Sequence, residues 1–163
     1  MKKVYSYSGF TLMEVAVVMS LLTFLFGFVW VNLLGSKDSA SQNTSVDLLV
    51  SDLRGQQLKA MLGDTEGRIG HDAYGIHFGT TTYTLFHGTT YVSADPTNFI
   101  VSLGDNERFQ SVEFSGSTLI FASVSGEISD FIPSADAIVL RNSSANTQKT
   151  LRLNKIGTVY AAN

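Results

Sequence analysis

The sequence predicts an α+β protein, one long N-terminal helix followed by antiparallel β-sheet. Three patterns carry that expectation. No charged residue separates Glu14 from Lys37. Apolar residues then recur at helical spacing at Val46, Leu49, Val50 and Leu53, and Ala60 and Met61 continue the stripe. After Gly63 the apolar period changes to two, and short β-rich runs alternate with Gly-, Ser- and Thr-containing turns. A helix followed by strands, without alternation of the two, argues against a parallel α/β sheet.

The first element is the uncharged run. Val15 to Leu34 is about 20 residues and spans ~30 Å as a helix, one hydrocarbon thickness. Lipid offers no water to the backbone, so a helix is the form expected there. Lys2 and Lys3 precede it, which keeps the short N-terminal side cytoplasmic and exports the rest; Trp30 suits the far interface. An ordinary secretory signal fits poorly, because the run is too long and no small-residue cut site follows it. A polar stretch, Lys37 to Thr44, then interrupts the apolar pattern. The second helical segment, Ser45 to Leu62, is amphipathic, with Asp47, Asp52, Arg54 and Lys59 mostly opposite the apolar stripe, and Gly63 ends it.

The strands follow in order: Tyr74 to Phe78, Thr82 to Phe86, a short one at Tyr91-Val92, and Phe99 to Leu103. Val112 to Phe114 and Thr118 to Ser123 flank Ser115-Gly116-Ser117, which reads as a hairpin. Ser125-Gly126 is a further turn. Ala137 to Arg141 and Thr150 to Leu153 are separated by a polar loop, Asn142 to Gln148, and Gly157 to Ala161 forms the last strand.

Composition excludes several functions. With no cysteine among 163 residues, there can be no disulfide framework, cysteine–zinc site or thiol nucleophile. A formal net charge of −3 makes no global case for nucleic acid. No phosphate loop, dinucleotide fingerprint or nucleophile elbow is present, so no catalytic residue, cofactor or enzymatic activity is expected. His71, His77 and His87 are dispersed and read as solvated or hydrogen-bonded rather than as a metal trio. Asp95, Asp105 and Glu107 offer hard oxygens that calcium would accept, but not at EF-hand spacing. Seven acidic residues from Asp95 to Asp136 face Arg108 alone, whereas Arg141, Lys149, Arg152 and Lys155 follow with no acid among them. That asymmetry reads as solvated faces of opposite sign, with subunit matching or weak DNA contact through the four basic residues as the functional alternatives.

Gly9-Phe10-Thr11-Leu12-Met13-Glu14, ahead of the apolar run, resembles the class III leader of type IV pilins and type II secretion pseudopilins. The resemblance implies a leader at residues 1–9, a transmembrane and filament-core helix at 10–36, and a globular domain at 37–163. It implies cleavage between Gly9 and Phe10 by a prepilin peptidase, and methylation of the Phe10 amine. Glu14 would then be the fifth mature residue, a family glutamate that serves assembly. Its partners would be other subunits, an inner-membrane assembly platform and the lipid bilayer. The protein would start as a single-pass inner-membrane protein and end in a periplasmic or surface filament. Val46 to Arg54, Leu119-Ile120-Phe121 with Ser125-Gly126-Glu127, and Thr150 to Tyr160 look most like H-type minor pseudopilins and related minor pilins. Val31 stands where many major pilins carry a helix-kinking proline. A DNA-binding minor pilin of a competence or twitching machinery and a cysteine-free major pilin are the alternatives within the family.

Overall fold

The computed structural model describes residues 9–65, 67 and 72–162, the side chains of 28–39 and 161–162 excepted. The chain divides into two compact units, Met1–Lys37 and Asp38–Asn163. Among the described residues one helix, α1, runs from Leu12 to Leu62, so the amphipathic segment continues the apolar one as expected and the polar stretch Lys37 to Thr44 interrupts only the apolar pattern. That stretch contains no proline, so the hydrogen-bond ladder is free to pass through it. Thr11 starts α1: its hydroxyl accepts the Glu14 N–H at 3.2 Å. Gly63, at φ 62°, ends it in a Schellman arrangement. The Asp64 N–H bonds the Lys59 carbonyl at 3.0 Å and the Gly63 N–H bonds that of Ala60 at 3.3 Å.

Among the described residues of the second unit, eight strands form two four-stranded antiparallel sheets. The strands are β1 (Tyr74–Phe78), β2 (Thr82–His87), β3 (Phe99–Ser102), β4 (Glu107–Val112), β5 (Thr118–Phe121), β6 (Ala137–Asn142), β7 (Thr147–Leu153) and β8 (Val159–Ala162). The first sheet has the order β3-β2-β1-β5 and the second β4-β6-β7-β8. One core joins them to the helix. Val46, Leu49, Leu53 and Ala60 of α1 pack with Tyr74, Ile76 and Phe78 of β1, Leu119 and Phe121 of β5, Ile138 and Leu140 of β6, and Leu151 and Leu153 of β7. Phe109 of β4 knits the sheets together, its ring edge-on to Phe78 at 5.2 Å and to Tyr83 at 6.3 Å.

The buried face of α1 is more regular than its apolar residues suggest. Gln42, Val46, Leu49, Leu53, Gln56 and Ala60 are all buried, at alternating steps of four and three. The two glutamines are anchors. Gln42 donates to the Leu140 carbonyl at 3.1 Å and accepts from the Thr147 hydroxyl at 2.7 Å, fixing α1 against the second sheet. Gln56 donates to the Gly75 carbonyl of the first sheet at 3.4 Å. Met61 departs from the expected stripe, being 49% exposed. It lies against Gly126, where a Cβ would fall 2.3 Å from its Cγ.

Three strand expectations are corrected. Tyr91-Val92 is loop, and Tyr91 instead stacks on His77 with centroids 4.0 Å apart. The hairpin about Ser115-Gly116-Ser117 does not form, since β4 pairs with β6 and β5 pairs with β1. That segment is a 3-10 turn with Gly116 at φ 60° and Ser117 at φ 52°, which carries the chain from one sheet to the other. The polar loop before β7 is shorter than expected, because β7 already pairs at Thr147 with Asn142.

Asp52, expected on the solvent side, is half-buried and accepts a 2.6 Å hydrogen bond from the Tyr83 hydroxyl. Burial, then the hydrogen bond and charge of Asp52, push the Tyr83 phenol well above its ordinary range. A raised phenol favours the protonated folded state. Stability is therefore expected to be full below about pH 10, the unfolded tyrosine value, and to fall as pH rises beyond it. Alkaline unfolding of Tyr83→Phe should show a shallower fall between about pH 10 and 12. An unchanged slope would assign the effect to other groups.

Candidate functional site

The residues expected to form a leader junction, Gly9, Phe10 and Glu14, sit at the start of α1. Gly9 and Phe10 precede the helix and are exposed, Phe10 at 81%. Thr11-x-x-Glu14 has the capping-box spacing, a signal not expected from the leader resemblance. Of the two reciprocal bonds, the threonine hydroxyl's is made. Phe10 and Val15 line a common hollow of about 220 Å³ with Glu14, Val18 and Met19, the placement of a hydrophobic staple across the cap. The Glu14 carboxylate is exposed in the first turn, where the positive end of the helix dipole favours an anion.

Every described side chain from Phe10 to Phe26 is exposed, including Leu12 at 89%, Met13 at 77% and Phe24 at 75%. A helix that is apolar all round is stable only when something apolar covers it. Among the described residues, no helix is long and apolar enough to cross a membrane. The expected span, Val15 to Leu34, extends beyond the described side chains.

The basic residues near the C-terminus do not make one strip. Strand alternation puts Arg141 and Arg152 on one face of the second sheet and Lys149 on the other. Arg152 pairs with the buried Asp136, which also accepts the Tyr160 hydroxyl. Asp136 raises both the guanidinium and the phenol above their ordinary values. Lys155 pairs with Glu127 at 3.1 Å, and Arg141 donates to the Asn146 side chain at 3.0 Å. At Asp136 and Glu127, the acidic stretch and the basic end thus meet within one chain. These pairings depended on the crossover before β5 and the return into β6, which local sequence pattern does not encode.

The histidines are likewise dispersed. His77 Nδ1 lies 2.9 Å from the Thr118 hydroxyl, and burial lowers the ring's pKa. His87 Nδ1 lies 3.1 Å from the Thr97 hydroxyl, which itself donates to Asp95 at 2.6 Å. His71 lies outside the described residues. Glu107 is buried and accepts the Gly104 N–H at 3.3 Å, while Asp105 is exposed on the same turn. Among the described residues, no three histidine or carboxylate groups are placed to hold a metal ion.

Comparison with known proteins identifies one similarity. Over 51 residues the chain is 47% identical to the type II secretion system core protein G of Vibrio cholerae serotype O1. The match covers 31% of this chain and 35% of that relative, so it spans about a third of each. No family model matches the chain, and no solved structure matches it.

Proposed function

We propose that this chain is a structural subunit of a type II secretion pseudopilus, cut between Gly9 and Phe10 and assembled through the exposed apolar half of α1. The similarity to core protein G carries this reading, and the all-round apolar exposure from Phe10 to Phe26 supports it. In this scheme a prepilin peptidase removes the leader, the helix enters the inner membrane, and the assembly platform transfers it into a filament. Lipid first covers the apolar surface and neighbouring subunits then replace it. The globular motifs favour a minor, H-type place, so the protein should be a trace component of sheared filaments. Abundance matching the main subunit would move it to the core, G-type place.

Cleavage ahead of Phe10 leaves that residue next to the Thr11 cap, with its new α-amine about one helical turn from Glu14. Mass spectrometry of the protein from a peptidase-competent host should find Phe10 as the first residue, methylated on its amine. A mature protein still carrying Lys2 and Lys3 would refute the processing step. Gly9→Leu should accumulate the uncut form, because glycine lets the peptidase approach the backbone closely.

A further inference from the structure

One end of the second sheet carries unanswered positive charge. Arg108 of β4 stands directly opposite Arg141 of β6, so both side chains leave the same face. Their strand neighbours Glu107, Phe109, Leu140 and Asn142 are buried, which turns the arginines outward. Like charges set directly opposite one another destabilise a sheet unless an anion answers them. Arg141 donates to the neutral Asn146 side chain, and Arg108 has no hydrogen-bond or ion-pair partner among the described residues. The other end of the same sheet carries unanswered negative charge. Glu113 follows β4 and accepts the Ala137 N–H, at the start of β6, at 3.2 Å. With Asp130 it lines a hollow of about 220 Å³ whose walls include Phe114, Ile120 and Ile132. Both carboxylates are exposed, and neither meets a cation among the described residues. From Arg108 to Glu113 the strand direction advances ~17 Å.

We infer that the Arg108–Arg141 pair of one copy docks in the Glu113–Asp130 hollow of a second copy. Guanidinium groups meet the two carboxylates there, and their methylene stems lie on the apolar walls. DNA is the poorer occupant of the arginine pair. A long polyanion must also pass the exposed Asp105 on the turn before β4, and two phosphate contacts bind feebly. The two patches are different surfaces at opposite ends of the sheet, so the contact is head-to-tail. It leaves a free hollow on one copy and a free arginine pair on the other, where further copies can add. The inference deepens the filament reading and rests on it: copies lie side by side there, and this contact joins their globular units, however few the copies.

The test uses the full chain in detergent micelles. The chain has no cysteine of its own, so introduced ones report a single contact. Gln148 is exposed and pairs with Arg141 across β6 and β7, and Ser129 is exposed beside Asp130. Mixed Gln148→Cys and Ser129→Cys copies should form the mixed disulfide faster than either forms a dimer with itself. Adding Arg108→Gln to the first copy, or Asp130→Asn to the second, should slow it about tenfold. Both together should slow it no further than either alone, because each removes the same interaction. Neither residue has a partner within its own chain, and asparagine tolerates the φ of 52° at position 130, so melting should not change. Absence of the mixed disulfide, or rates indifferent to both substitutions, would overturn the proposal. So would independent, multiplying losses, or faster pairing of two Gln148→Cys copies. Firm binding of a labelled DNA duplex at physiological salt, lost in Arg108→Gln, would assign the arginines to phosphate instead. The assay needs neither cleavage at Gly9 nor filament assembly, so this inference and the filament reading fail separately.

Discussion

Leu53→Asp is expected to lower the stability of the globular unit by at least about 4 kcal/mol, close to unfolding it. Leu53 is 1% exposed at the centre of the buried face of α1. Removing a buried leucine side chain costs about 2–5 kcal/mol through lost transfer energy and the remaining cavity. A carboxylate at that point must also lose its water without a partner, or take up a proton, and either adds to the loss. A domain of this size holds only about 5–15 kcal/mol in total. Leu48→Asp is the matching control, because Leu48 is 46% exposed; its effect should stay within about 0.5 kcal/mol. Calorimetric melting of both variants in mild detergent reads the difference. Equal melting temperatures would show that the buried face is wrongly assigned.

Glu14→Gln is expected to abolish or severely reduce incorporation into filaments while leaving cleavage and membrane insertion intact. Glutamine suits the third helical position of a capping box as well as glutamate does, so Thr11 and the start of α1 should be preserved. What it removes is the charge. A carboxylate and a neighbouring subunit's Phe10 amine at ~4 Å attract by ~4 kcal/mol at an effective dielectric of 20, before their desolvation is counted. Such a pair can set the axial register of one subunit against the next. Comparison of Glu14→Gln with Glu14→Ala in sheared filaments separates charge from cap. Loss in both variants supports the pair, normal assembly of Glu14→Gln alone leaves Glu14 as a helix cap, and normal assembly of both removes it from the mechanism.

The elements that the sequence made legible are those specified by nearby residues. Gly63 marked the end of α1 because a left-handed residue can follow the last turn there, and φ 62° realises it. The central stripe of Val46, Leu49 and Leu53 was readable because helical period alone assigns those side chains to one face. Tyr74–Phe78 and Thr82–His87 were readable because alternation and a tight turn between them are local properties.

Tertiary structure decided everything that depends on a distant partner. Helical period alone gives no reason to bury the polar Gln42 and Gln56; carbonyls of two different sheets supply acceptors for their buried amides. Ser115-Gly116-Ser117 announced a turn, but whether its flanking strands pair with each other depends on competing edges elsewhere. β1 was available to β5 and β6 to β4, so the turn became a crossover. Arg152 and Lys155 stood in an acid-free stretch of sequence, yet Asp136 and Glu127 meet them in space. Helical period and strand alternation orient a side chain relative to its own backbone, whereas burial, ion pairing and strand partnership are settled only when separate segments compete for the same neighbours.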